Sequence, residues 1–521
     1  MKFRRSSGVL LHPSSLPGKF GIGEIGPQAI QWLDFLANAG CSLWQVLPLG
    51  PTGYGDSPYQ CFSAFAGNPY LVSLQSLLEE DYLHPNDLIE VPEFPSDRVD
   101  FGKLIPWKLS VLDRAYIRFQ HSASADKREA FAYFRAFHQE WLEDFALFMA
   151  LKEAHGGAAW SSWEASLRDR NPQALKDARL SLDVAVERQV FRQFLFFQQW
   201  QSIKDYAHSK GIQLVGDVPI FVAHDSADVW AHPELFFLDQ LGQPTVVAGV
   251  PPDYFSPTGQ LWGNPLYRWK VHQETNFQWW INRIRFALEV VDIIRLDHFR
   301  GFAGYWEIPG KAKTAEKGRW VSAPGMELFA RLQEVMGDLP VIAEDLGVIT
   351  PDVVVLREHF DLPGMKIFQF GFGGGPDDPF LPHNFATNCV VYTGTHDNDT
   401  ALGWYDRVEG DEKDFYRRYL GRDGKDVSWD LIRGAWASVA DQALCPMQDL
   451  LSLGNDARMN YPGNPSGNWS WRMKAGSLTT SLMGRLYELN FLYSRLNPVM
   501  EGVRKTKTSQ IRNQEKEDRS Q

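Results

Sequence analysis

Short apolar runs that end in polar or charged residues recur along this chain and alternate with segments of helical period. This alternation is typical of parallel strands joined by crossover helices, and it favours an α/β fold. Its repetition over 521 residues favours a (β/α)8 TIM barrel with large helical and loop insertions. The runs predict strands at 42–49, 212–220, 291–299, 340–347, 365–372, 389–395 and about 443–451. Helices are predicted at 25–39, 186–209, 277–289 and 326–335.

The long gap between the first two predicted strands must hold more than a loop. Residues 75–185 are rich in helix formers and in Phe, Trp and Leu spaced three and four apart, so we expect a mostly helical inserted subdomain. Residues 249–269 and 455–471 mix Pro, Gly, Asp and Asn with aromatic residues without a period, which predicts long ordered lid loops. We assign residues 1–503 to one barrel domain, and the polar tail at 504–521 to a disordered segment.

The charge and cysteine content narrow the classes of partner and compartment. A net charge of -12 repels phosphate backbones, so we expect neither a nucleic-acid partner nor an anionic membrane surface. No uninterrupted apolar run approaches the length of a membrane span. The four cysteines are widely spaced, and the basic first residues are followed by too short an apolar run for a signal peptide. We therefore expect a cytoplasmic protein.

The aromatic content points to a class of ligand. Aromatic residues make up 13% of the chain, and 19 of them are Trp. Many of these rings belong to the core, because large rings bury much apolar area. Trp and Tyr also stack on the apolar faces of sugar rings, while their polar tips hydrogen-bond to hydroxyls. A carbohydrate is therefore one candidate ligand.

Four acids follow successive apolar runs: Asp217, Asp297, Glu344 and Asp397. Side chains at the carboxyl ends of barrel strands converge on one mouth, where catalytic groups of this fold lie. Each acid alone is more simply read as a helix cap or a salt-bridge partner. Four acids at equivalent positions are harder to explain that way, because gathering carboxylates needs compensating cations, hydrogen bonds or a chemical use.

Arg295 lies two residues before Asp297, so on a strand both side chains point to the same side. The guanidinium can hold Asp297 ionised and oriented, which suits a nucleophile. Glu344 follows the apolar residues 341–343 and can keep a raised pKa, so that it donates a proton. Two unequal acids in one pocket suit glycosyl transfer.

Eight separated strings then resemble a known family, the 4-α-glucanotransferases called amylomaltases or disproportionating enzymes, within the α-amylase clan of barrel enzymes. They are HPSSLPGKFGIGEIG from His12, PLGPTGYGDSPYQCFSAFAGNPYL from Pro48, GDVPIFVAHDSADVW from Gly216, the 249–269 segment, RLDHFRGF, AEDLG, GTHDNDT and RMNYPGNPSGNWSWR. The resemblance runs from about residue 12 to 498. One departure is that Val-Pro-Ile-Phe follows Asp217, where the wider clan commonly has Asn-His.

The resemblance implies a role for each acid. Asp297 would form the covalent glucosyl enzyme, Glu344 would protonate the leaving oxygen and then deprotonate the acceptor, and Asp397 would bind hydroxyls of the reacting sugar. The substrate-binding residues that it implies are Tyr59, Asp217, Tyr254, Trp262, Arg295, His396 and Asn464. For Tyr59 and Trp262 the alternative is loop packing, and for His396 it is a structural imidazole.

The implied activity transfers a segment of a 1,4-α-D-glucan to the 4-hydroxyl of glucose or of another 1,4-α-glucan. Maltooligosaccharides and 1,4-α-glucans would be donors, and glucose or a glucan the acceptor. A hydrolytic amylase-type glycosidase and a non-catalytic glucan-binding protein are the alternatives. We expect no cofactor and no metal, since the sequence has no phosphate loop, no Gly-x-Gly-x-x-Gly after a strand and no EF-hand-like loop. The resembling family also does not generally require calcium.

Overall fold

The computed structural model describes residues 3–252, 256–464 and 466–500. Within these ranges, eight parallel strands close into a barrel in the order β1-β12-β11-β10-β9-β6-β3-β2, and an antiparallel sheet has the order β5-β4-β7-β8. The strands are β1 (Ser6–Leu10), β2 (Leu43–Gln45), β3 (Gln213–Pro219), β4 (Val246–Val250), β5 (Gln260–Pro265), β6 (Ile293–Asp297), β7 (Gly304–Pro309), β8 (Arg319–Ser322), β9 (Val341–Ala343), β10 (Gly364–Ile367), β11 (Cys389–Tyr392) and β12 (Gln442–Pro446). The predicted α/β barrel is confirmed.

Helices cover the barrel and fill its long connections. They are α1 (Pro27–Asn38), α2 (Leu74–Glu79), α3 (Phe101–Ser122), α4 (Ala125–Phe137), α5 (Gln139–Ala154), α6 (Ala165–Arg168), α7 (Pro172–Ser181), α8 (Asp183–Ser209), α9 (Ala227–Ala231), α10 (Trp269–Glu274), α11 (Gln278–Val290), α12 (Gly325–Met336), α13 (Pro351–His359), α14 (Ala401–Arg407), α15 (Gly410–Leu420), α16 (Val427–Ala437), α17 (Met447–Leu450) and α18 (Thr480–Leu492). The four helices predicted from periodicity are confirmed as α1, α8, α11 and α12, with ends shifted by up to three residues.

The seven predicted strands are present, but each is shorter than its apolar run suggested. Strand β10 ends at Ile367 and a 3-10 helix covers Phe368–Phe372, while β12 ends at Pro446 and α17 follows. The apolar side chains continue past each strand because the chain turns at the barrel rim while remaining buried. The sequence did not predict β1, whose apolar run is short and begins with two serines.

The sequence predicts a long loop at 249–269, and this prediction is wrong in part. It contains the end of β4 and all of β5, which pair antiparallel with a register shift between Val247 and Gly249. That irregularity breaks the alternation by which a strand is recognised in sequence. Strands β4 and β5 lie between β3 and β6 along the chain, and β7 and β8 lie between β6 and β9. The small sheet is therefore built from connections that leave the mouth of the barrel.

Two apolar regions support this arrangement. The barrel interior is filled by buried residues from its strands, among them Val215, Ile293, Ile342 and Leu444. Helices α3, α4, α5 and α8, between β2 and β3, pack around an aromatic cluster in which the Phe119 and Phe191 ring centroids lie 4.8 Å apart. The predicted tail at 504–521 lies outside the described residues.

Candidate active site

The four acids predicted from the sequence lie at or beyond the carboxyl ends of barrel strands. Asp217 is in β3, Asp297 is the last residue of β6, and Glu344 directly follows β9. Asp397 follows β11 by five residues. Because these strands run parallel, the four carboxyl groups belong to one face of the barrel.

Arg295 joins two of these acids. Its Nη1 atom donates to both carboxylate oxygens of Asp217, at 2.8 and 2.7 Å, and its Nη2 atom lies 3.0 Å from Oδ1 of Asp297. Burial lowers the pKa of an arginine, but the two carboxylates outweigh it and raise the pKa of Arg295 above its usual value. The Asp217 side chain is fully buried, whereas that of Asp297 is 28% exposed. Asp297 is therefore the acid of this pair that a ligand can reach.

Glu344 has a different environment. Its Oε2 atom accepts from the backbone N–H of His298 at 2.7 Å, and its Oε1 atom accepts from that of Leu346 at 3.0 Å. Desolvation raises the pKa of Glu344 to about 8, and the nearby negative charge of Asp297 adds to the rise, while Arg295 and the two N–H donors oppose it. Glu344 therefore carries a proton at neutral pH.

Tyr59 connects Asp217, the partner of Arg295, to Asp397 through His396. The Tyr59 hydroxyl donates to Oδ2 of Asp217 at 2.8 Å and lies 2.9 Å from Nε2 of His396. Because its one proton goes to Asp217, the Tyr59 oxygen accepts from His396, which assigns the proton of a neutral His396 to Nε2. The same Nε2 lies 3.3 Å from Oδ2 of Asp397, and the Tyr59 and His396 rings stack with centroids 5.2 Å apart.

Asp397 is held as an anion. Its Oδ1 atom accepts from Nδ2 of Asn460 at 2.6 Å, in addition to the contact with His396. Burial raises the pKa of Asp397, but the opposing effects of His396 and Asn460 are together larger and hold it well below the usual range. Its side chain is 42% exposed, so it remains open to a ligand.

The remaining residues predicted from the sequence differ in how near they lie to the acids. Trp262 lies on β5, and its ring meets that of His298 edge to face at 4.8 Å, which puts it next to the residue that follows Asp297. Asn464 is exposed, and its contacts in the described part of the chain are confined to its own turn, where its backbone oxygen accepts from Asn468 at 2.9 Å. The structure does not bring Asn464 to the acids. Tyr254 lies outside the described residues.

Known proteins resemble this chain over most of its length. A family model described as 4-alpha-glucanotransferase matches residues 11–479. A 4-alpha-glucanotransferase of Thermus thermophilus is 55% identical over 494 residues, covering 93% of this chain and 98% of that protein. One of Synechocystis sp. is 50% identical over 498 residues, covering 94% and 98%. The chain belongs to the 4-alpha-glucanotransferase family.

The solved structure of amylomaltase from Streptococcus agalactiae in complex with acarbose superposes with a TM-score of 0.92 at 40% identity. The match covers 95% of this chain and all of that one. The resemblance on which the sequence analysis relied is thereby confirmed for the family and for the fold. The retaining mechanism is general for 4-alpha-glucanotransferases of this family.

Three contact residues of the site were missed in the sequence: His298, Asn460 and Arg458. The last two lie in the string RMNYPG, for which the sequence predicts a lid loop that resembles the family, with no role for either residue. Their spacing of two, in a segment without helical period, was an available signal, because alternate residues of an extended chain share a side.

Among the described residues, no group of three or more His, Cys, Asp or Glu side chains is arranged to hold a metal ion. The helices described include none that is both long and apolar enough to span a membrane.

Proposed function

We propose that this 4-alpha-glucanotransferase carries out its reaction with Asp297 as nucleophile and Glu344 as general acid and base. A segment of a 1,4-α-D-glucan leaves its donor, remains bound to Asp297 as a glucosyl ester, and passes to the 4-hydroxyl of glucose or of another 1,4-α-glucan. The observation that carries this proposal is the difference in surroundings between two neighbouring acids. Nη2 of Arg295 lies 3.0 Å from Oδ1 of the partly exposed Asp297, while desolvation keeps the proton on Glu344.

The two steps follow from this difference between the acids. In the first, Asp297 Oδ attacks the anomeric carbon of the donor, and Glu344 gives its proton to the departing 4-oxygen. In the second, the ionised Glu344 removes the proton of the acceptor 4-hydroxyl, whose oxygen then displaces Asp297. Two inversions give retention of the α-linkage. After one cycle Glu344 has regained its proton and Asp297 is again free of the sugar.

The other predicted residues act on the sugar at the point of reaction. We propose that Asp397 and His396 bind hydroxyls of the reacting glucose, because Asp397 is both anionic and exposed. These contacts contribute to rate only where they strengthen as the ring flattens toward an oxocarbenium ion. We assign Tyr59 as the aromatic platform below the same ring, with Asp217 and Arg295 supporting it from behind.

Transfer, rather than hydrolysis, requires that a sugar reach the glucosyl ester before water does. Trp262 on β5 and the segment 455–471 offer an indole, amides and further aromatic rings near the mouth, which suits an oriented acceptor. Tyr254 and Asn464 remain predicted glucan-binding residues of the same two segments. The predicted cytoplasmic location stays a prediction, and the four free cysteines suit a reducing compartment.

The test is the product pattern from maltotriose. We expect glucose and longer maltooligosaccharides at a constant number of reducing ends. A steady rise in reducing ends would instead support the hydrolytic alternative. Asp297→Asn is expected to lower the rate of transfer by a factor on the order of 10³ or more. Near-normal turnover in that variant would remove the nucleophile assignment.

Asp113→Asn is a matched control for this variant. The Asp113 carboxylate on α3 is 25% exposed and pairs with Arg188 at 2.8 Å and Arg192 at 2.6 Å, so it resembles Asp297 in burial and in its cationic partners. We expect it to keep its activity. The non-catalytic alternative would stand if the wild type and Asp113→Asn both bind maltooligosaccharides but do not transfer them.

A further inference from the structure

Arg458 makes three polar contacts, two with the turn that carries Asp397 and one within its own segment. Its Nη2 atom donates to the backbone oxygen of Asp397, its Nη1 atom to Oδ1 of Asp399, and its Nε atom to the backbone oxygen of Asn460 at 2.7 Å. The side chain is 13% exposed, and its guanidinium lies 4.5 Å from the ring centroid of Tyr461. One planar group therefore fixes both the main chain at Asp397 and the segment that faces it.

Asn460 completes this connection. Its side chain donates to Oδ1 of Asp397 at 2.6 Å, while its backbone N–H donates to the carbonyl of His396 at 3.1 Å. Because Arg458 holds the backbone of Asn460, it also sets the direction from which the Asn460 amide reaches the carboxylate. Arg458 thus controls Asp397 from two sides without itself touching the exposed carboxylate oxygens.

We propose that Arg458 is a positioning residue for Asp397, so that the segment 455–471 orients the acid that binds the reacting sugar. This inference rests on the proposed role of Asp397. It deepens that role by making the alignment of the acid depend on a neighbouring connection of the barrel. Productive alignment is sensitive to displacements of about 1 Å, which can change a rate by as much as 10²-fold.

The geometry requires an arginine. The three acceptors lie in different directions, and the planar guanidinium presents donors on three nitrogen atoms in a fixed fork. A lysine at this position has a single nitrogen and cannot reach the Asp397 carbonyl, Asp399 and the Asn460 carbonyl in the same geometry. It does keep the positive charge beside Asp399. Arg458→Lys therefore removes the positioning contacts with little change in local charge.

The first measurement is the kinetics of Arg458→Lys with maltotriose. We expect kcat to fall 10- to 100-fold while KM stays within threefold of the wild type, because contacts made in the transition state are lost and ground-state binding persists. A kcat within threefold of the wild type overturns the proposal. So does a loss that appears entirely as a higher KM, since that pattern indicates a disordered binding surface.

The second measurement is a double-mutant cycle with Asp397→Asn, using α-maltotriosyl fluoride as an activated donor. If Arg458 acts through Asp397, then Arg458→Lys changes the rate of the Asp397→Asn protein by less than threefold. A repeat of the full loss in that background overturns the proposal. Should the Asp397→Asn rate lie below the assay floor, the kcat and KM of Arg458→Lys decide alone. Near-normal turnover of Asp397→Asn itself would instead remove the proposed role of Asp397.

Arg170→Lys is the matched control for folding and charge. Arg170 also pairs with one carboxylate, Asp144 at 2.7 Å, and lies over an aromatic ring, with its guanidinium 4.3 Å from the centroid of Trp230. It belongs to the connection between β2 and β3 and has no contact with the acids described above. We expect its kcat and KM to stay within twofold of the wild type.

Discussion

At the scale of single residues, Glu344 combines two opposing influences. Arg295 and the N–H groups of His298 and Leu346 favour its anion, whereas desolvation and the charge of Asp297 favour the protonated acid. The second pair is larger, so the pKa lies at about 8 rather than near its usual value. The N–H donors are then in place to stabilise the carboxylate that forms once the proton has been transferred.

This balance predicts a pH dependence for the reaction. A raised pKa means that the acid is protonated at neutral pH and loses its proton as the pH rises through about 8. We expect kcat/KM for maltotriose to fall on the basic side with an apparent pKa near 8, and to approach a tenfold loss per pH unit above it. Initial rates between pH 6 and 10 measure this. A basic limb centred below pH 6 would contradict it.

The residues that could be predicted from the sequence are those whose position along a strand is enough to place them. Asp297 and Arg295 are two residues apart on β6, and their contact follows from that spacing. The contact between Arg295 and Asp217 depends on the register of β3 against β6, and the register is not visible in either strand alone. Asn460 and Arg458 act from a connection without period, where only the folded chain shows which partners meet.

At the scale of elements, buried parallel strands were recognised because they are continuous apolar runs. Strand β1 is the exception, since its first two residues are serines that are nevertheless buried. The Ser7 hydroxyl is satisfied by Asn490 on α18, a partner 483 positions away. At Gly8 an added Cβ would lie 2.3 Å from the backbone oxygen of Leu43, so close pairing with β2 requires glycine. Neither feature has a local signal in the sequence.

The small antiparallel sheet carries a residue that we expect to favour transfer over hydrolysis. Trp262 lies on β5, at the edge next to His298, and we propose that its indole helps to keep water from the glucosyl ester. Trp262→Ala is expected to raise the share of hydrolysis severalfold relative to transfer. The measurement is the number of new reducing ends per glucose released from maltotriose.

Trp320→Ala is the control for that experiment. Trp320 lies on β8, at the opposite edge of the same sheet, and is 44% exposed. Removing its indole takes an aromatic ring of the same kind from the sheet, at the edge away from β5. We expect its product ratio to match the wild type. An equal rise in hydrolysis in both variants would mean that the sheet as a whole, and not Trp262, limits water.

At the scale of the whole molecule, a buried ion pair joins the barrel to the helices inserted between β2 and β3. Lys108 on α3 is bonded to Glu24, which precedes α1, and Oε2 of Glu24 also accepts from the N–H of Leu74 at 3.3 Å. Burial raises the pKa of Glu24 and lowers that of Lys108, and the attraction between them does not reverse either shift. Desolvation thus outweighs attraction, so the pair contributes less to stability than its contacts suggest.

That comparison predicts opposite results for one and two substitutions. Lys108→Met leaves Glu24 buried without its cation, and we expect the free energy of unfolding to fall by about 3–5 kcal/mol. Adding Glu24→Gln removes the charge while keeping an acceptor for Leu74, so most of that loss should be recovered. Thermal midpoints at one fixed scan rate give the direction of both changes, because unfolding of a chain this long is commonly irreversible.

The exposed pair Arg331–Glu334 provides the scale for this experiment, since Arg331→Met should change stability by no more than about 1 kcal/mol. Transfer activity well below the thermal midpoint should be unchanged in all three proteins, because neither pair contacts the acids at the barrel mouth. A double variant no more stable than Lys108→Met would show that the pair is a net attraction between barrel and insertion. In that case the ion pair would add to the apolar surfaces that hold the inserted helices to the barrel.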